Sequence, residues 1–193
     1  DAMGRTVAER YLDASGSLCE SKAGYAAASF EYDGVGNLMR QSYTNAYGNL
    51  CLTPDGYAQV AYGYDAQRRR ISERYYGEDG NLTLNRSGVA GVDVAYTPGG
   101  YPQRVTSIGL DGLPCLNADG YAAVSSSYSA QGRLELEVYL DTADQPVMVK
   151  RLGYAQAAYS YDAQGNCTQE RYLDADGMPC AMGAGYASVL RTF

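Results

Sequence analysis

The sequence contains no histidine and no tryptophan, and only two phenylalanines in 193 residues. Without histidine, the commonest general acid–base group and the imidazole of nucleophilic triads are both missing. Large aliphatics are scarce as well: 16 Leu, 12 Val and 2 Ile. So thin a supply of core-formers raises disorder as an expectation. The 20 tyrosines answer it, because each ring buries a large apolar area while its hydroxyl keeps a polar partner. The expected core is therefore Tyr, Ala, Leu and Val.

Positive charge is also short. The chain carries 22 acidic against 15 basic residues, a net charge of −7, which opposes binding to phosphate backbones. The one basic run, Arg68-Arg69-Arg70 with Arg74 nearby, sits beside an expected turn and reads as a solvated loop. Nucleic acid is not an expected partner. No apolar stretch approaches the roughly 18 residues of a membrane span, so no membrane insertion is expected, and no basic-then-apolar leader opens the chain. Asp1 opens in mid-pattern, as expected of a piece of a longer array.

What is present is a repeat. Units run 1–32, 33–64, 65–96, 97–128, 129–161 and 162–193, the fifth longer by one residue near Leu152. Together they form a single array over 1–193. Within each unit, alternate apolar positions such as Ala155, Ala157, Tyr159 and Tyr161 have the period of a half-buried strand. Turns of the type Asp33-Gly-Val-Gly-Asn37 and Asp162-Ala-Gln-Gly-Asn166 follow, with Asp first and a residue suited to positive φ near the end. A second strand is expected at Thr168–Leu173. After the turn Asp174-Ala-Asp-Gly177, a short third one is expected around Pro179 and Cys180. Ala-rich pieces of about eight residues are too short for stable isolated helices.

The expected fold is all-β: six antiparallel hairpin units of about 32 residues forming an elongated sheet or superhelical ribbon, with a β-solenoid as the alternative. A solenoid would stack equivalent residues about 4.8 Å apart. That spacing would bring the Glu9, Glu73, Glu137 and Glu170 phase into like-charge contact, which disfavours it. Three strands per unit would separate equivalents by about 14 Å instead.

The motifs Tyr32-Asp33-Gly-Val-Gly-Asn37, Tyr161-Asp162-Ala-Gln-Gly-Asn166 and the degenerate Tyr128-Ser129-Ala-Gln-Gly-Arg133 resemble bacterial YD-repeat proteins of the RHS type. Tyr64-Asp65 keeps the dipeptide but has Arg68 in place of the glycine, and Tyr96-Thr97 loses the aspartate. The resemblance implies a winding β-ribbon scaffold in a large secreted or surface-exposed bacterial protein. There such repeats encapsulate toxins, bind sugars or mediate contact. It implies no repeat-borne catalytic residues.

Of the five cysteines, Cys19, Cys51, Cys115 and Cys180 share one phase with Thr83 and Val147, which suits a small buried apolar side chain. Zinc spacings such as C-x₂-C are absent, and neither a metal nor a cofactor is expected. Asp174-Ala-Asp-Gly177 reads as a turn rather than a calcium loop, which requires more ligands. The acids recur at repeating positions, so no enzyme is expected; a glycoside-processing site with two carboxylates is the remote alternative. Tyr11, Tyr43, Tyr75, Tyr139 and Tyr172 form one row, and Tyr25, Tyr57, Tyr121, Tyr154 and Tyr186 another. If the first row faces solvent it becomes an aromatic strip for a glycan or protein ligand, engaged multivalently. Multivalent contact of this kind, by a scaffold segment of a larger bacterial surface or secreted protein, is the expected role; a purely structural stalk or shell segment with no ligand is the alternative, which buried rows would favour. Ends cut within the array would leave strand edges open to end-to-end self-association.

Overall fold

A computed structural model describes all residues, 1–193. It contains no helix. Its strands are β1 (Ala8–Arg10), β2 (Ala27–Tyr32), β3 (Leu38–Thr44), β4 (Gln59–Tyr64), β5 (Arg70–Tyr76) and β6 (Gly91–Tyr96). They continue with β7 (Pro102–Ile108), β8 (Ala123–Tyr128), β9 (Leu134–Leu140), β10 (Gln156–Tyr161), β11 (Cys167–Leu173) and β12 (Ser188–Leu190). All twelve follow chain order in one open antiparallel sheet, the expected hairpin arrangement rather than the solenoid. By contact the chain divides into two compact units. One is Asp1–Val92 with Gly109–Gly112; the other is Asp93–Ile108 with Leu113–Phe193.

Each repeat contributes two strands, not three. The expected third strand is a single bridge, Leu173↔Pro179 in the last unit, with Leu12↔Leu18 and Thr44↔Leu50 as earlier copies. The segment is too short for a ladder because it lies between two tight turns. The second of these turns went unread in the sequence. Each Gly-Tyr-Ala element, expected as a strand lead-in, closes a turn such as Ser21–Tyr25, where the Gly24 amide donates to the Ser21 carbonyl and the Ser21 amide to Tyr25. With two strands per unit, equivalent residues are separated by about 9.6 Å, not the expected 14 Å.

The same turn therefore occurs three times per unit, five residues long except at Val149–Tyr154, which takes the extra residue of the fifth unit, and its first side chain explains the motif. The Asp33 carboxylate accepts from the amides of Val35 and Asn37 at 3.0 and 2.8 Å and from the Asn37 side chain at 2.8 Å. Asp162 repeats all three bonds with Gln164 and Asn166. Asp is thus an Asx-type cap whose acceptors satisfy the loop amides. At Asp162 the Asn166 side chain is the largest influence and holds the carboxyl below its ordinary range. At Asp33 partial burial opposes the shift, but the donors of Asn37, Val35 and Gly36 outweigh it.

Alanine marks where backbones pass closest. Ala26, Ala58 and Ala155 are fully buried. The Ala58 amide donates to the Tyr76 carbonyl at 2.8 Å while its carbonyl accepts from Tyr43 at 2.9 Å. Ala155 makes the same pair with Leu173 and Tyr139. This position ties the strands of its own hairpin to the strand before it, and leaves no room for a larger side chain.

Candidate functional site

The tyrosine rows converge because the third turn folds one row over the other. Ring centroids of Tyr11, Tyr25, Tyr43, Tyr57 and Tyr75 follow one another at 5.8, 4.7, 6.2 and 4.9 Å. A second ladder joins Tyr121, Tyr139, Tyr154, Tyr172 and Tyr186 at 5.0, 6.0, 4.9 and 6.0 Å. These separations and tilts are those of favourable aromatic pairs. In the row expected as a strip, Tyr43, Tyr75 and Tyr172 are only 8, 8 and 7% exposed, and Tyr11 and Tyr139 are half-buried. The ring faces are therefore largely covered by other rings.

The tyrosine of the Tyr-Asp dipeptide, and of its degenerate copy Tyr128-Ser129, does something else. Tyr32 Oη donates to the Thr6 carbonyl at 2.9 Å, Tyr64 to Leu38 at 2.9 Å, Tyr128 to Pro102 at 2.9 Å and Tyr161 to Leu134 at 2.8 Å. Each bond reaches back 26 or 27 residues, from the last residue of a unit to a residue near its start, so this hydroxyl staples the first strand of one hairpin to the hairpin before it. The motif resemblance marked these residues, but nothing in their spacing disclosed the staple. Tyr161→Phe is expected to lose about 1 kcal/mol, an ordinary net hydrogen bond. Urea denaturation measures it; an unchanged midpoint would remove the staple from the account.

A side chain from the turn that opens the same unit lies over three of the four staples. Arg5 stacks on Tyr32 with its guanidinium carbon 4.5 Å from the ring centroid, Tyr101 on Tyr128 at 5.1 Å, and Arg133 on Tyr161 at 5.7 Å. Arg5 and Arg133 also lie against the next turn's Gly36 and Gly165, and Tyr101 against Gly132. At Tyr64 the pattern is exchanged: the opening turn of the unit offers the small Asn37, and the turn of the next unit carries Arg68, which donates to Asn37 Oδ1 at 3.0 Å. Arg68 is thus a junction residue while remaining an exposed turn cation, as expected of a solvated loop.

On the tyrosine face, the Glu row reads differently at each copy. Glu73 accepts from Tyr75 Oη at 2.8 Å and from Arg70 at 2.6 Å. Glu170 accepts from Tyr172 Oη and Arg191, both at 2.7 Å. Those donors, Tyr172 first, hold Glu170 below its ordinary range. Glu137, half-buried, makes neither bond, and burial pushes it up. Tyr62, whose ring lies across from Glu73, is pushed up to about 12 by burial, with Arg70 opposing.

Opposite pH responses follow. A carboxyl raised in the fold costs stability as pH climbs through its folded pKa, whereas a lowered one contributes stability that disappears as pH falls through its folded pKa. Glu137→Gln is expected to raise stability at neutral pH and to leave it unchanged well below the carboxylate range. Glu170→Gln is expected to lower it at neutral pH. Thermal denaturation across a pH series reads both signs, and matching responses at the two sites would contradict the assignment.

Two aspartates, Asp33 and Asp65, line one surface groove with Asn37, Tyr64 and Arg68. Both are committed to their own turns and held low. A glycosidase pair needs one carboxyl raised to act as the acid, so these two do not match that chemistry. The five cysteines are free and half-buried rather than buried as expected. Cys51 and Cys180 are pushed up chiefly by burial, which keeps them as thiols.

No protein-family model matches the sequence, and no curated protein matches it. Among solved structures, the chain is similar to part of a chain in the crystal structure of TcdB2-TccC3-TEV, with TM-score 0.50 and 15% identity over 80% of its length. It is also similar to part of the crystal structure of TcdB2-TccC3-Cdc42, with TM-score 0.47 and 16% identity over 79%. A third similarity is to the structure of the Photorhabdus luminescens Tc holotoxin pore, with TM-score 0.41 and 14% identity over 94%. The chain spans 6, 6 and 9% of those three chains. At such identity the first likeness is one of fold.

Proposed function

We propose that the chain is a non-catalytic structural segment of a larger secreted or surface-exposed bacterial protein of the RHS type, a wall or stalk assembled from successive hairpins. One observation carries the reading: the hydroxyls of Tyr32, Tyr64, Tyr128 and Tyr161 each reach back to the preceding hairpin at 2.8–2.9 Å. A residue repeated for a ligand would turn its polar group outward; this one turns it to the neighbouring hairpin. The fold-level likeness to a small part of a much longer chain in TcdB2-TccC3-TEV is consistent with a segment role.

Multivalent contact with a glycan or protein through Tyr11, Tyr43, Tyr75, Tyr139 and Tyr172 is the finer alternative. Stacking of these rings favours the purely structural reading, since covered faces offer little contact area. Glycan arrays and cell-wall pull-downs separate the two. The wall reading expects no retention, while retention abolished by Tyr11→Ala would overturn it. The open edges β1 and β12 of this chain suit pairing with another copy. Light scattering over a concentration series is expected to show association, and a monomer throughout would count against it.

A further inference from the structure

The sheet builds one carboxylate clamp twice and leaves a third copy open. At Glu73 the clamp is complete. One carboxylate oxygen takes the Tyr75 hydroxyl and the other takes Arg70, whose guanidinium carbon lies 4.2 Å from the Tyr62 ring centroid. Tyr62 reaches that place because it is the direct cross-strand partner of Glu73. At Glu170 the cation arrives from the other side. Glu170 pairs with Val189, and Arg191 lies two residues further along, diagonal to the carboxylate.

At Glu137 each of those positions is filled by something else. Its direct partner on β8 is Ser126, where Glu73 has Tyr62. Leu134 occupies the phase of Arg70. On the β10 side its partner is Ala157, and Tyr159 takes the diagonal place that Arg191 holds at Glu170. Glu137 is left with no hydrogen-bonding or ion-pair partner, and the small Ser126 stands where a ring packs in the complete clamp. Tyr139 and Tyr159 remain close enough to feel its charge. A half-buried carboxylate beside aromatic rings is the setting in which a planar cation is held by charge and by ring face together.

We propose that Glu137, with Ser126, Tyr139 and Tyr159, forms a binding site for the guanidinium of an arginine side chain supplied by another protein chain. The site is a copy of the internal clamps with the arginine removed. Guanidinium fits better than ammonium because both internal examples use it, and its flat fork meets carboxylate and ring at once. The inference stands apart from the wall reading, since its test reads one side chain and not the role of the segment.

The test follows the Glu137 carboxyl carbon by NMR in the intact chain during titration with a capped arginine amide, with a capped citrulline amide as the uncharged isostere. Arginine is expected to give a saturable shift at Glu137 and at the Tyr139 and Tyr159 ring signals, and citrulline none. Glu137→Gln is expected to abolish the response. In Leu134→Arg, which restores the arginine of the Glu73 clamp, Glu137 is expected to be shifted before any probe is added and to respond no further. An equal response to citrulline, an undiminished response in Glu137→Gln, or no saturable shift at Glu137 in the wild-type chain would each overturn the proposal.

Discussion

Tyr75→Ala is expected to cost about 3–5 kcal/mol, the range for deleting a large buried aromatic. Three losses coincide there. The ring is 8% exposed and stacks on Tyr57 at 4.9 Å, so its removal takes away the last rung of the first ladder and uncovers Tyr57. The hydroxyl donates to Glu73 at 2.8 Å, so a carboxylate loses a donor. The Tyr75 amide and carbonyl hold Ala90 and Thr83, and the gap lies beside those bonds. Tyr75→Phe separates the contributions: it keeps the stack and loses only the hydroxyl, about 1.5–3 kcal/mol for a bond to a charged group. Tyr47, 89% exposed, is the control, and its alanine variant is expected to stay within about 0.5 kcal/mol of wild type. Urea midpoints at constant m-value give all three numbers. A Tyr75→Ala cost no larger than that of Tyr47→Ala would mean the ladder does not hold the sheet.

The second large effect distinguishes two glycines of similar backbone conformation. Gly48 and Gly132 lie at φ of +83° and +77°. A Cβ at Gly48 meets nothing within 4 Å, so Gly48→Ala is expected to cost only the left-handed penalty of about 1–2 kcal/mol. At Gly132 the added methyl would overlap the Tyr101 ring, which is itself stacked on Tyr128. Displacing the ring adds about 1–3 kcal/mol of overpacking. The excess is expected to vanish in a Tyr101→Asn background, because Asn37 opposite Arg68 already demonstrates that pairing. A double-mutant cycle measures the coupling directly. Equal costs at Gly48 and Gly132 would show that the residue lying over the turn is ornamental.

Much of this architecture was legible in the residues. Two-fold alternation and the Asp-to-Gly spacing located the strands and two of the three turns. The third escaped because Ser21, Thr53, Asn85 and Asn117 share hydrogen-bonding capacity rather than identity, and the following Gly-Tyr-Ala imitates the start of a strand. Without that turn, the sequence pattern predicts a strand near Cys180 and two separate tyrosine stripes. Only the fold of the turn interleaves them. The cysteine phase was read correctly as small, but its half-burial depends on the same loop. The open clamp was visible in part: Ser126 and Leu134 depart from their phases, yet only register shows that both departures face Glu137.

Nearest-neighbour dependence is the central claim, since the β10–β11 pairing, the Tyr154–Tyr172 ladder contact and the Ala155–Leu173 bond all cross from one unit into the next. Urea unfolding of a single repeat, residues 129–161, against the whole chain tests it most directly, followed by circular dichroism. The account predicts a cooperative transition for the whole chain and no folded baseline for the lone repeat. A lone repeat that unfolds cooperatively, with strand content like that of the array, would contradict it.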